Sequence, residues 1–165
     1  MSPNRVNRVQ LLLVMLLLVV LQFYLRPRLW DARISPDFLL IALMLFAMRS
    51  SPGVAALAGF AVGLIADTLT PARFGAGALA HTLVGYLASW GRSVFFADNI
   101  LVNAAFVAAG LWFRDLIVLV ASGTDHRQLL TELTLYSPLQ ALTTAGFALI
   151  VLITFRSMFS LRLDT

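Results

Sequence analysis

Residues 9–25, VQLLLVMLLLVVLQFYL, run for seventeen positions without a charge. As a helix this segment measures roughly 25 Å, slightly under the hydrocarbon core of a bilayer, and its two amides, Gln10 and Gln22, fall towards its ends. Five further apolar runs follow, each interrupted by arginine, proline or glycine. Over 165 residues the hydrophobic share is 60%, the charged share 12% and the mean hydropathy +0.89. Such proportions lie outside the range of soluble domains and describe an all-α integral membrane protein.

The net charge of +4 is spread between the apolar runs. It reads as membrane-flanking charge, with the lipid bilayer as partner and no nucleic acid. All twelve basic residues are arginine, which points to compositional bias more than to twelve separate needs for a planar guanidinium. The chain has no cysteine, which excludes disulfides, zinc–thiolate sites and thiol nucleophiles. Arg5 and Arg8 precede the first run and Arg26-Pro27-Arg28 follow it without a small-x-small cleavage site, so an uncleaved spanning helix is expected and not a signal peptide.

The punctuation divides one transmembrane domain, 1–165, into six helices at about 9–25, 36–49, 52–69, 75–90, 100–120 and 138–155. Trp30 fits an interfacial anchor in the first connection. Ser35-Pro36 reads as a helix start, with Ser35 as N-cap, and Ser137-Pro138 repeats the pattern. The second helix covers only ~22 Å; it either spans by thinning the bilayer or by snorkelling of Arg49, or is re-entrant. A polar break at 91–99 contains Arg92 and Asp98, HRQLLTEL suggests a short interfacial helix, and a basic tail carries Arg156 and Arg162.

Six helices put both termini on one side. With the termini in the cytoplasm, Arg5, Arg8, Arg49, Arg92, Arg156 and Arg162 lie inside, against Arg26, Arg28, Arg33, Arg73 and Arg127 outside. Asp67, Arg73, His81, Arg114, Asp115 and Tyr136 then share the outer half, and intramembrane ionisable groups are functional candidates by default. Each has a plainer reading. Asp67 sits near a helix end and can be solvated or locally hydrogen-bonded, and Arg114 can snorkel to the interface. Asp115, adjacent to Arg114, is expected to point elsewhere and not to pair with it, leaving one of the two facing the bundle. His81 is a packing histidine or a hydrogen-bond partner of Asp67. Nothing resembles a paired-histidine metal site or a GxSxG nucleophile motif, so neither enzyme chemistry nor a cofactor is expected.

Gly59, Gly63 and Asp67 repeat every four residues along one stripe of the third helix, and Gly77, His81, Gly85 and Ser89 do so on the fourth. Stripes of this kind permit close backbone approach, either within one chain or as a groove for another protein's helix.

In their order, Pro36-Asp37-Phe38-Leu39-Leu40, Gly59-Phe60-x-x-Gly63-Leu64-x-x-Asp67, Gly75-x-x-x-Leu79 and Tyr86-Leu87 resemble the rod shape-determining protein MreD family between residues 34 and 99. Pro36, Asp37, Gly59, Gly63 and Asp67 are the positions carried over; Arg114 and Asp115 rest on the chemical argument alone. The resemblance implies a non-enzymatic inner-membrane component of the bacterial elongasome, which builds lateral-wall peptidoglycan and maintains rod shape. MreC, with one membrane helix and a large periplasmic part, is the implied partner, and MreB, RodA and its partner transpeptidase are implied indirectly. The implied fold is a six-helix transmembrane bundle similar to the substrate-binding subunits of energy-coupling-factor vitamin transporters. A vitamin-binding subunit is the alternative function; the absence of alanine from residues 9–25 departs from the Ala-xxx-Ala docking face that such subunits carry.

Overall fold

The computed structural model describes residues 3–29, 31–70, 73–91 and 100–154. Trp30, the Pro71-Ala72 part of the third turn, the polar break at 92–99 with Arg92 and Asp98, and the tail with Arg156 and Arg162 lie outside the described residues. Among those described, the regular structure is helical: α1 (Pro3–Tyr24), α2 (Phe38–Ala47), α3 (Pro52–Thr68), α4 (Ala76–Gly91), α5 (Ile100–Ala121), α6 (His126–Thr131) and α7 (Ser137–Thr154).

Local chemistry sets several of the boundaries. Pro52 opens α3 after an extended Ser51, a position where its missing N–H leaves no bond unmade. Between α3 and α4 the chain turns through Gly75 at φ +93°, a backbone conformation open to glycine. Asp125 caps α6 by accepting the Arg127 N–H.

A fresh helix was expected at Ser137-Pro138, but the chain is already helical from His126 and passes through a π-turn at Glu132–Tyr136. Pro138 has no N–H to donate, and its ring crowds the carbonyl four residues earlier; a widened preceding turn accommodates both effects. The Trp112 indole N–H reaches across from α5 to the Leu133 carbonyl in that turn, at 3.2 Å.

The bundle is arranged around α2, which touches α1, α3, α4, α5 and α7. Around it α3 packs on α4, α4 on α5 and α5 on α7, while α1 rests chiefly on α2. Every α2 residue except Phe46 is buried, as an apolar segment without a polar face requires. Phe38 meets Phe147 of α7 edge to face, with ring centroids 5.3 Å apart. Ten residues make a helix of about 15 Å, half a bilayer core. Protein, in the form of five neighbouring helices, surrounds α2.

Outward faces are apolar as well, with Leu12 65%, Leu57 72% and Leu142 68% exposed. A bundle that is apolar both inside and outside has lipid as its solvent. Among the described residues, three helical stretches are long and apolar enough to cross a membrane, Leu11–Arg28, Leu101–Ala121 and His126–Thr154; α2 and α3 are apolar but shorter.

The two glycine stripes face each other. A Cβ at Gly59 would fall on the His81 carbonyl, one at Gly63 on the backbone of Gly77 and Ala78, and one at Gly85 on the Ala55 carbonyl. Backbone contact therefore runs along the α3–α4 pair, the close approach that glycine permits in membranes. This closes the groove allowed for above: α4 itself occupies the Gly59–Gly63 face.

Candidate functional site

A short helix surrounded by protein begins away from water, and its first N–H groups have no partner within the helix. Its own N-cap and side chains from two other helices supply what is missing at α2. Asp37 is the N-cap, its Oδ1 accepting the Leu40 N–H at 3.0 Å. The Phe38 N–H donates to Gln22 Oε1 of α1 at 3.0 Å, and the Asp37 N–H to Thr144 Oγ1 of α7 at 3.1 Å. Carbonyls just before the helix are met too: Gln140 Nε2 donates to Ser35 O at 3.0 Å, and the Thr143 hydroxyl to Ile34 O at 2.6 Å.

Ser35, expected as the cap, instead turns its hydroxyl back to Asp31 O at 2.8 Å, and Pro36 is buried just ahead of the helix. A carboxylate is the stronger acceptor, and Asp37 stands one residue nearer the unpaired N–H groups than Pro36. Gln140, Thr143 and Thr144 escaped the sequence reading. The available signal was the presence of amide and hydroxyl side chains early in an otherwise apolar helix, where each needs a partner.

The second oxygen of Asp37 pairs with Arg114. Asp37 Oδ2 lies 2.7 Å from one arm of the guanidinium, and the other arm lies 2.9 Å from Asp115 Oδ1. The side chains of Asp37, Arg114 and Asp115 are only 6%, 14% and 12% exposed. Two expectations are corrected here. Arg114 does not snorkel, because a buried carboxylate holds it inward. Asp115 does pair with Arg114, because a long, forked side chain can fold back to its sequence neighbour while its other arm crosses to α2.

Asp67, at the end of α3, works separately. Its Oδ2 accepts the N–H groups of Gly75 at 2.8 Å and Ala78 at 3.0 Å, and its Oδ1 that of Gly77 at 2.9 Å. Asp67 thus caps α4 from the adjacent helix, with its negative charge at the positive end of the α4 dipole. Of the two readings of His81, the bond to Asp67 does not form, both carboxylate oxygens being taken by backbone donors. His81 Nδ1 lies 2.8 Å from Gly77 O; a carbonyl only accepts, so Nδ1 carries the proton. His81 Nε2 is buried without a partner among the described residues.

Beside the Asp37–Arg114–Asp115 group lies a cavity of about 100 Å³, lined in part by Arg33, Arg73, Arg114, Asp115, Glu132 and Tyr136. Arg33 sits 4.8 Å above the Tyr136 ring and 3.9 Å from Glu132. The polar residues expected as one cluster are therefore two constructions at one end of the bundle: a cap on α4 at Asp67, and a buried ion-pair group with an adjoining cavity.

No curated protein and no solved structure matches the chain, so neither the similarity to energy-coupling-factor subunits nor the vitamin-transport alternative gains support. The family model for rod shape-determining protein MreD matches residues 4–161. With that match over nearly the whole length, the chain belongs to the MreD family, as a membrane protein with a part in determining rod shape.

Proposed function

We propose that the chain is a scaffold subunit of the bacterial elongasome that binds MreC through the MreC membrane helix and juxtamembrane segment. It sets how the periplasmic part of MreC is presented to the wall synthases, and so helps control lateral peptidoglycan synthesis. Through MreC it acts with MreB, RodA and the partner transpeptidase. It sits in the inner, cytoplasmic membrane, crosses it six times and keeps both termini in the cytoplasm, so that Asp37, Asp67 and Arg114 lie towards the periplasm. The observation that carries this reading is the family match over residues 4–161.

In this reading the signature residues maintain the scaffold's shape and do not touch the partner. Gly59, Gly63 and Gly85 fit α3 against α4. Asp67 caps α4, with His81 packed beside it on the Gly77 carbonyl. Pro36, Asp37, Arg114 and Asp115 seat α2. The partner surface is then an outer apolar face, which bulky substitutions at Leu16 of α1, Leu57 of α3 and Ile150 of α7 sample in turn.

Co-expression with MreC and affinity purification test the proposal. MreC is expected at near-equimolar level with the native chain, and a change to Trp at whichever of these positions lies on the contact face lowers that recovery while the purified protein keeps its thermal stability. Recovery of MreC no better than that of an unrelated single-span membrane protein refutes the reading.

A further inference from the structure

The cavity beside Arg114 distributes its charges unevenly, with the carboxylates gathered on Arg114. Three guanidinium side chains, Arg33, Arg73 and Arg114, stand against three carboxylates, but two of these, Asp37 and Asp115, are both spent on Arg114, which leaves Glu132 alone to face Arg33 and Arg73. Arg114 divides its two arms between Asp37 and Asp115, yet its Nε is buried and has no partner among the described residues. Arg73 makes no ion pair among the described residues. Arg33 is held over the Tyr136 ring and reaches Glu132 only at 3.9 Å, with its side chain 54% exposed. Buried guanidinium N–H groups are costly to leave unmet, and a planar fork suits a phosphate or carboxylate oxygen pair.

The wall that carries Glu132 and Tyr136 is the π-turn, whose widened backbone brings both side chains to the cavity. Single π-turns within helices recur at functional sites. A volume of about 100 Å³ has room for roughly three waters or one tetrahedral oxyanion. Arg73 is shared with a second, more open crevice formed by Phe74, Gly75, Ala76, Leu79, Ala121 and Ser122. Phe74 and Leu79 are 65% and 49% exposed there, so apolar surface leads directly away from the guanidinium groups.

We propose that this cavity binds a singly charged phosphate oxyanion, with Arg33 and Arg73 as the residues that recognise it. The anion would meet the charge that Arg73 leaves unpaired among the described residues, and the volume matches the group. Two sources offer that chemistry, the phosphodiester of an anionic phospholipid and free inorganic phosphate. The exposed Phe74 and Leu79 side chains beside Arg73 favour the lipid, whose glycerol and first acyl carbons would lie along them. The inference is independent of whether MreC is the partner.

Native mass spectrometry of the purified full chain, with added phosphatidylglycerol, diacylglycerol or inorganic phosphate, tests it alongside thermal unfolding. The expected result is retention of phosphatidylglycerol over diacylglycerol, reduced about tenfold by Arg73→Gln or Arg33→Gln, as for the loss of one charge-assisted hydrogen bond. Both substitutions leave the Asp37–Arg114 pair intact, so unchanged melting of the unliganded variants separates binding from folding. Stabilisation by inorganic phosphate alone, lost in the same variants, keeps the oxyanion site and assigns it to a soluble source. Equal retention of phosphatidylglycerol and diacylglycerol with no effect of phosphate, or binding unaffected by both substitutions, overturns the proposal.

Discussion

Replacing Arg114 by leucine tests how α2 is held in place. The change leaves Asp37 Oδ2, now 2.7 Å from a guanidinium nitrogen, without its ionic partner inside the bundle, although Oδ1 keeps the Leu40 N–H. Breaking a buried ion pair from one side costs about 3–5 kcal/mol, because the remaining charge must be neutralised or hydrated. For a chain of this length that corresponds to a fall in melting temperature of roughly 6–20 °C. Asp37→Asn is milder, on the order of 1–2 kcal/mol: asparagine still caps the helix, and Arg114 keeps Asp115 at 2.9 Å. In the double variant the unpaired charge on Asp37 is gone, so much of the damage done by Arg114→Leu should be relieved, with a coupling of about 2–3 kcal/mol. Thermal or denaturant unfolding in detergent, read on all four proteins, gives this cycle. If Arg114→Leu costs under about 1 kcal/mol, or the two losses simply add, the pair does not seat α2 and the reasoning fails.

Three further outcomes follow from the same contacts. Gly59→Ala should cost well over the ~1–3 kcal/mol of ordinary overpacking, since its Cβ would meet the His81 backbone and not a movable side chain, whereas Gly146→Ala in α7, with open space around it, should be neutral or stabilise by up to about 1 kcal/mol; folded yield and melting temperature compare the two. Asp67→Asn offers one acceptor oxygen where three backbone N–H groups now converge and turns an NH₂ towards donors, so a loss of about 1–3 kcal/mol is expected, with faster amide exchange at Gly75, Gly77 and Ala78 if the cap is what the carboxylate provides. Gln22→Leu strands the Phe38 N–H and should cost about 1–3 kcal/mol, while Gln22→Glu, which retains an acceptor oxygen, should restore exchange protection at Phe38; equal protection in both variants would rule out the bond as the anchor.

The sequence made the all-helical character legible because apolar periodicity and composition are local signals. The α3–α4 stripes were visible for the same reason: a four-residue repeat lies on one helix, and only their mutual facing had to come from the fold. What the sequence hid was pairing across distance. Nothing local tells that Asp37 meets a residue 77 positions away at Arg114, or that Thr144 and Gln140 serve backbone groups more than a hundred residues earlier. Ser-Pro is a common helix opening and points to Ser35 as the cap, whereas Asp37 wins through a contact with Leu40 and a buried setting that composition does not reveal. At Ser137-Pro138 the same dipeptide misled again: a proline can be absorbed by a π-turn when the surrounding helices hold the chain in line, and Trp112 of α5 is part of that surrounding.

A helix of ten residues, all buried but Phe46, offers lipid too little surface to set its depth, so its position along the bundle axis must come from its ends. Here the N-terminal end is tied to α1 by Gln22, to α5 by Arg114 and to α7 by Gln140, Thr143 and Thr144. Sliding any one of those helices by a single turn, about 5.4 Å, would break at least one of these bonds and leave a backbone or charged group unmet away from water. The α3–α4 pair resists sliding by another means, since its glycine positions accept only the opposing backbone they already face. At the far end of α2, Ser89 of α4 donates to the Ser50 carbonyl, which ties the glycine-packed pair to the chain leaving α2. The polar residues and the glycines are thus complementary solutions to one problem, fixing the register of helices in a solvent that supplies no hydrophobic force between them.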